Sequence, residues 1–338
     1  MTCKLLFFDY RKSEEKFFSK NNFENYDIKF YRSSLNKETV KTLPQKLLDE
    51  TTIVSVFITS EIDKDVISKF KNLRVISTRS TGFDHICVNS CTNRNITLIN
   101  VENYGQLPVS QFTIGLIIML TRNILPSVVT VPDNSFAVEK FIGTDLNSLT
   151  LGIIGTGAIG LAVAEYAKCL GMKVLAYDKN RNSELEKNKF VKYVELDELL
   201  TRSDIVSLHL PYTQENTKMF SYTQFDMMKN NSYFINVSRG ELVDNNALLK
   251  ALDNGKWKGV GLDVVSCTEA SSEREKVEKS SIYCVNKSKI VKRLLQHSNV
   301  IITPHIAYNT QEAIDCILKT TFEGISDYLS GGFKHRVV

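Results

Sequence analysis

Residues 151–178 constrain this chain more than any other stretch. An apolar run over residues 151–154 leads straight into Gly155-Thr-Gly157-Ala-Ile-Gly160. A stretch with helical apolar spacing, residues 161–170, follows at once. A second apolar run over residues 173–177 then ends on Asp178. The order is strand, glycine turn, helix, strand and acid, and each part has a task if the ligand is a dinucleotide. Gly155 permits the turn, Gly157 lets the backbone approach a pyrophosphate, and Gly160 lets the helix pack closely on the strand. The helix N-terminus offers free N–H groups to the phosphates. Asp178 lies 18 residues past Gly160, where a carboxylate accepts hydrogen bonds from the adenosine ribose. A glycine-rich turn in some other α/β protein is the competing reading, and it gives the acid no task. Asp178 repels a ribose 2′-phosphate, which favours NAD over NADP. Lys179 and Arg181, just beyond it, argue the other way.

A length of 338 residues calls for two domains rather than one core. The 42 basic and 38 acidic residues are interspersed, with no basic run and no basic stripe carrying aromatics, so nucleic acid is not an expected partner. Seven cysteines, at 3, 87, 91, 169, 267, 284 and 316, fit no zinc spacing, and no metal is expected. They read as thiols in a reducing cytosol. The N-terminal apolar run is too short for a signal peptide, and residues 114–120 fall far below membrane-spanning length. The expectation is a soluble, cytoplasmic protein with no membrane partner.

The first hundred residues alternate strand-like runs (4–8, 28–31, 53–57, 75–78, 96–100) with helix-compatible ones (12–20, 37–50, 63–71, 84–94). That alternation predicts a parallel, doubly wound sheet. This unit has no glycine fingerprint of its own, so nucleotide binding is not expected of it. Ser80-Thr81-Gly82-Phe83-Asp84-His85 reads as a strand end entering a turn. Ligands bind open α/β sheets at such ends, and the N–H groups of Thr81 and Gly82 suit a small anion such as a carboxylate. Taken alone the stretch is more simply an ordinary βα turn, and His85 reads as a structural or surface histidine. A helix is expected over 109–122 and irregular chain over 125–145. Beyond the fingerprint, strands are expected over 191–193, 205–210, 233–237, 259–264 and 300–305. Helices are expected over 196–200, 225–230, 244–254 (Asp244 as N-cap), mostly over 269–297, and over 310–330.

Arg239, Asp263 and His305 stand at three of these strand ends. An arginine beside a nicotinamide forks onto a carboxylate and carbonyl as lysine cannot. A histidine near neutral pKa exchanges the proton that accompanies a hydride. Singly, Arg239 reads equally as an ion-pair partner and His305 as a core histidine. As a set beside a dinucleotide fingerprint they point to reduction of a 2-oxo acid.

Ser80-Thr-Gly-Phe-Asp, Gly155–Gly160, Asn236-Val-Ser-Arg239-Gly and Thr303-Pro-His305-Ile-Ala together resemble the D-isomer-specific 2-hydroxyacid dehydrogenase family across nearly the whole chain. Asn103-Tyr104-Gly105 and His305-Ile-Ala-Tyr308-Asn-Thr look most like the branch containing the D-lactate dehydrogenases. The resemblance implies an oxidoreductase with two doubly wound, Rossmann-like parallel-sheet domains and a cleft between them. Residues 1–103 plus 307–338 would form a discontinuous, flavodoxin-like substrate domain and residues 104–306 the NAD domain, with a homodimer as the usual assembly. It also implies Ala158 and Ile159 on the pyrophosphate, Asp178 on the ribose, and Leu210, Pro211 and Asn216 on the adenosine side. Val237 and Ser238 would flank the nicotinamide, with Asp263 near its carboxamide. Arg239 would bind the substrate, His305 would act as acid/base, Tyr104 would contact the substrate, and the Thr81 and Gly82 amides would take its carboxylate.

Two departures stand out. The family's glutamate partner of the catalytic histidine falls at a position occupied here by Thr268, with Glu269 one residue late. Either a local shift brings Glu269 to His305 or the pair is absent. The second possibility keeps open an alternative, a dehydrogenase-fold protein that senses NAD(H) or binds a partner with weak or no catalysis. Gln111 also stands where the family usually has a glutamate.

Overall fold

The period-2 alternation of the first strand, Cys3–Phe7, sets up the first unit. In the computed structural model, which describes residues 3–21, 23–131, 138–187, 191–266 and 289–338, the chain divides into two units. One is Met1–Tyr104 with Asn309–Val338 and the other is Gly105–Tyr308. The first holds β1 (Cys3–Phe7), β2 (Tyr26–Phe30), β3 (Ile53–Val56), β4 (Val75–Thr78) and β5 (Thr97–Ile99), in the order β2-β1-β3-β4-β5. Every pairing is parallel. Leu5 and Phe7 face Leu318, Phe322 and Ile325 of the closing helix Gln311–Leu329. Leu6 and Phe8 face the other way, toward Val40, Leu48, Val66 and Phe70. Successive side chains of a strand point to opposite faces, so one apolar run fills two core layers. The C-terminal residues return to cover the β5 edge, where Leu98 N–H donates to the Val338 carbonyl and Val337 N–H to the Leu98 carbonyl.

The carboxyl ends of these strands are laced by polar groups. Arg79, which follows β4, is 1% exposed. Its guanidinium donates to Ser55 Oγ (3.0 Å) and the Phe8 carbonyl (2.7 Å), lies over the Phe7 ring, and places Nε 3.6 Å from Glu14 Oε1. Burial pushes the Glu14 carboxyl above its ordinary pKa, with Arg79 pulling the other way. Asp9 accepts from the Phe57 amide and the Ser60 and Thr59 hydroxyls.

The second unit holds β6 (Thr150–Ile154), β7 (Lys173–Tyr177), β8 (Lys192–Tyr193), β9 (Ile205–Leu208), β10 (Ser232–Asn236), β11 (Trp257–Leu262) and β12 (Val300–Ile302). Their order is β12-β11-β10-β9-β6-β7-β8, again parallel. Chain direction across the sheet reverses between β6 and β9, a switch point of the kind where ligands bind. The helix Gln106–Thr121 buries Val109, Ile114, Leu116 and Leu120. Among the described residues no single helix is long and apolar enough to cross a membrane.

Several expected elements are shifted. The run over 37–50 splits into Lys37–Lys41 and Gln45–Glu50 at Pro44, which has no N–H to donate. The helix expected over 84–94 spans only Val88–Asn93. That expected over 225–230 lies at Tyr222–Met227, because Ser221 and Gln224 form a capping box that starts it earlier. Part of the stretch expected to be irregular, 125–145, is the helix Ile124–Thr130; Pro126 sits in its first turn, where a missing N–H costs nothing. Of the helical stretch expected over 269–297, Lys289–Leu294 is helical and residues 269–288 lie outside the described residues.

Arg79→Met leaves the Glu14 carboxyl buried without its cation and should destabilise the protein by about 3–5 kcal/mol at neutral pH. Urea unfolding reads this. Because burial raises the native Glu14 pKa, its contribution is most favourable below the ordinary glutamate value and is lost as pH rises through the native one. The penalty should therefore shrink in acid, and a pH-independent penalty would place the cause elsewhere.

Candidate active site

At the end of β6, Gly155 adopts φ +98°, and a Cβ there would lie 2.6 Å from the His209 carbonyl oxygen. A Cβ on Gly160 would lie 2.0 Å from the Gly155 carbonyl oxygen. Both glycines are therefore demanded by the chain's own packing. Gly157 is not: a Cβ there would meet nothing within 4 Å among the described residues. It is the N-cap of the helix Ala158–Cys169, which starts three residues earlier than the apolar spacing suggested. The Ala158 and Ile159 amides thus belong to the first turn, which has no intrahelical acceptors. Open space over a glycine backbone at a helix N-terminus fits the diphosphate of a dinucleotide.

Asp178 is already oriented. Its Oδ2 accepts from the Thr156 amide (2.7 Å) and hydroxyl (3.1 Å), and its Oδ1 accepts from the Asn180 amide (2.9 Å). Thr156, between the first two glycines, was not singled out by its sequence context. The two nearby cations have acid partners: Arg181 lies 2.5 Å from Glu195 and Lys179 lies 3.7 Å from Glu215. Asn216 closes the loop after β9 by donating to the Pro211 carbonyl and accepting from the Thr213 amide, and Leu210 lies half-buried at its start. His209 also escaped the sequence reading. Its Nε2 is 2.9 Å from Ser207 Oγ, and burial pulls its pKa down to about 3, so the ring is neutral.

β10, β11 and β12 are neighbours, and their carboxyl ends carry Arg239, Asp263 and His305. With one strand between them, β10 and β12 are about 10 Å apart. Val237 is buried beside Ser238, whose hydroxyl donates to the Leu208 carbonyl and whose amide donates to Asn236 Oδ1. Asn236 Nδ2 donates to the Arg239 carbonyl, and Arg239 Nη1 to the Ser238 carbonyl. The backbone of this turn is thereby fixed while the guanidinium stays partly exposed.

Asp263 is 1% exposed and turns its carboxylate onto the loop after β12. Oδ1 accepts from the Thr303 hydroxyl (2.6 Å) and the Ile306 amide (2.9 Å), and Oδ2 from the Ala307 amide (2.9 Å). His305 lies inside this clamp, with its amide donating to the Asp263 carbonyl and its backbone in the left-handed region at φ +55°. A non-glycine residue is held there only when its surroundings insist. Its ring meets Tyr308 edge to face at 6.4 Å. Thr303 is a further residue the sequence did not flag. Thr81, Gly82 and Tyr104 lie in the first unit, with Thr81 and Gly82 on the turn after β4. Thr268 and Glu269 lie outside the described residues. Among the described residues no cluster of potential ligands could hold a metal ion.

A family model described as the D-isomer specific 2-hydroxyacid dehydrogenase NAD binding domain matches residues 114–307. The chain is 36% identical over 277 residues to a D-specific alpha-keto acid dehydrogenase of Enterococcus faecium, covering 81% of this chain and 82% of that protein. It is 32% identical over 289 residues to an aromatic 2-oxoacid reductase of Clostridium sporogenes, covering 84% and 85%. The structure is similar to that of D-lactate dehydrogenase from Aquifex aeolicus complexed with NAD and lactic acid, with a TM-score of 0.85, 32% identity and 99% of each chain covered.

Burial pushes the Asp263 carboxyl above its ordinary pKa, opposed by the bonds from Thr303, Ala307 and Ile306. A raised native pKa means that stability falls as pH rises from the ordinary aspartate value through the native one. Asp263→Asn should remove this step from a pH series of unfolding midpoints. An identical series for variant and wild type would show that the carboxyl does not titrate in this way.

Proposed function

The chain belongs to the D-isomer specific 2-hydroxyacid dehydrogenase family, and from that premise we propose that it reduces a small 2-oxo acid to the D-2-hydroxy acid, as a D-lactate dehydrogenase does. The observation that carries the reading is the arrival of Arg239, Asp263 and His305 at the carboxyl ends of three adjacent strands, in the sheet that bears the dinucleotide turn. NADH, when bound, supplies the hydride that adds to C2. The turn from Gly155 to Gly160, Asp178, the Leu210–Pro211–Asn216 loop, Val237, Ser238 and Asp263 would hold it. Arg239 forks onto the substrate carboxylate and carbonyl and stabilises the negative charge growing on the C2 oxygen. His305 donates the proton that completes the hydroxyl, and takes one in the reverse direction. Thr81 and Gly82 offer amides to the carboxylate, and Tyr104 contacts the substrate.

The test is NADH consumption with pyruvate, phenylpyruvate and glyoxylate. Pyruvate and phenylpyruvate are both included because one similar structure holds lactic acid and one relative is an aromatic 2-oxoacid reductase. His305→Ala should lower kcat by about 10²–10⁴-fold while the NADH dissociation constant is kept. If Glu269 is the acid partner of His305, Glu269→Gln should lower the upper pKa of the pH–rate profile, and an unchanged profile would mean that another acid, or none, has that task. No consumption with any of the three acids would favour an NAD(H)-binding module instead.

A homodimer belongs to the same reading. It is supported by Val128, Val129 and Ile142, which are 61%, 62% and 79% exposed. Light scattering should return about twice the 38.3 kDa chain mass, and Val128→Glu with Val129→Glu should return one chain. The five described cysteines are free, which suits a cytoplasmic location that cell fractionation would check.

A further inference from the structure

We propose that Asn100 and Ser80 are positioning residues that turn three consecutive amides, those of Thr81, Gly82 and Phe83, into one cradle for the substrate carboxylate. The inference rests on the 2-oxo acid reading. It adds a third amide and names the side chains that orient all three.

The argument starts from the carbonyls. The Ser80 carbonyl accepts from the Val101 amide at 3.1 Å. The Thr81 carbonyl accepts from Asn100 Nδ2 at 3.0 Å, and the Gly82 carbonyl accepts from the Ser80 hydroxyl at 2.7 Å. In a planar trans peptide the N–H of the next residue points opposite to the carbonyl. Fixing these three carbonyls therefore fixes the N–H groups of Thr81, Gly82 and Phe83, each pointing away from the partner that holds its peptide. None of the three amides has an acceptor among the described residues. Successive N–H groups of this kind form an anion-binding concavity.

The side chains that do the holding are themselves fixed. Asn100 is 5% exposed and Ser80 is 1% exposed. Thr81 Oγ1 donates to the Val101 carbonyl, tying the turn to the same segment. The single Ser80 hydroxyl proton goes to Gly82, so Ser80 Oγ must accept from the Thr78 hydroxyl 2.7 Å away. Thr78 Oγ1 in turn accepts from His85 Nε2 at 3.1 Å. The line from His85 through Thr78 and Ser80 to Gly82 has one consistent direction. His85 is thereby accounted for, as the outer end of a bracket rather than a reacting group.

The test compares pyruvate with methyl pyruvate, which keeps the reducible carbonyl and lacks the carboxylate. Asn100→Ala and Ser80→Ala should each raise KM for pyruvate by about tenfold or more, the scale of a lost hydrogen bond to a charged group. KM for methyl pyruvate should stay near its wild-type value, as should the NADH dissociation constant followed by fluorescence. Oxamate binding to the NADH-loaded protein should weaken in parallel with pyruvate. Ser80→Ala removes one hydroxyl and guards against a folding failure in the Asn100 variant. Equal losses for acid and ester, or no loss for either, would overturn the assignment while leaving the reductase reading in place. A wild type that turns over no 2-oxo acid would overturn both.

Discussion

The second unit depends on how closely the helix Ala158–Cys169 approaches β6. The Gly160 backbone sits where any side chain would strike the Gly155 carbonyl, and Gly155 sits where one would strike His209. That approach leaves the helix N-terminus beside the β6–β9 switch point, with Gly157 uncovered. The glycines thus divide by cause. Two are required by contacts within the chain, whereas a Cβ on the third would meet nothing among the described residues. Only the third carries information about a ligand, and a spacing motif cannot tell them apart.

A second regularity is that the polar side chains of the site act mainly on backbone. Asp178 holds the Thr156 and Asn180 amides, Asn236 holds both ends of its turn, and Asp263 holds the two amides that follow His305. Buried polar groups must be satisfied, and loop backbone supplies partners where strands end. The outcome is a set of loops whose shape is fixed from inside. Arg239 then extends from a rigid turn, and His305 is kept in a left-handed conformation it would otherwise leave. Orientation of this kind serves catalysis because it need not be established anew at each turnover.

The fold was legible because its signals are local. Apolar runs bounded by turn residues became strands within two residues of their expected limits, except that the last stops at Ile302, three residues short, and Asp244 caps its helix as its position implies. Errors arose where two local signals compete. Ile124–Thr130 is helical although Pro126 and its neighbours suggested irregular chain, because a proline in a first turn removes no bond. The glycine turn and the three strand-end residues were readable from type and position. Thr303 and the clamp of Asp263 were not, since their contacts join residues 40 to 44 positions apart. His209 was hidden for another reason: nothing in Ser207-Leu-His209 distinguishes a ring kept neutral by burial from an ordinary strand histidine.

The two kinds of donor in the proposed reaction suit two kinds of charge. A substrate carboxylate carries the same charge before, during and after reduction. Neutral amides held by Asn100 and Ser80 bind it equally in every state, so their effect falls on substrate affinity. Charge on the C2 oxygen, by contrast, appears only as the hydride arrives. A full positive charge on Arg239 and a mobile proton on His305 match that change, so their effect falls on the rate of the chemical step. A second arginine in place of the amides would hold the carboxylate more tightly, yet it would add nothing specific to the transition state. Amides without net charge share the constant charge with one arm of the Arg239 fork, and its other arm meets the charge that develops.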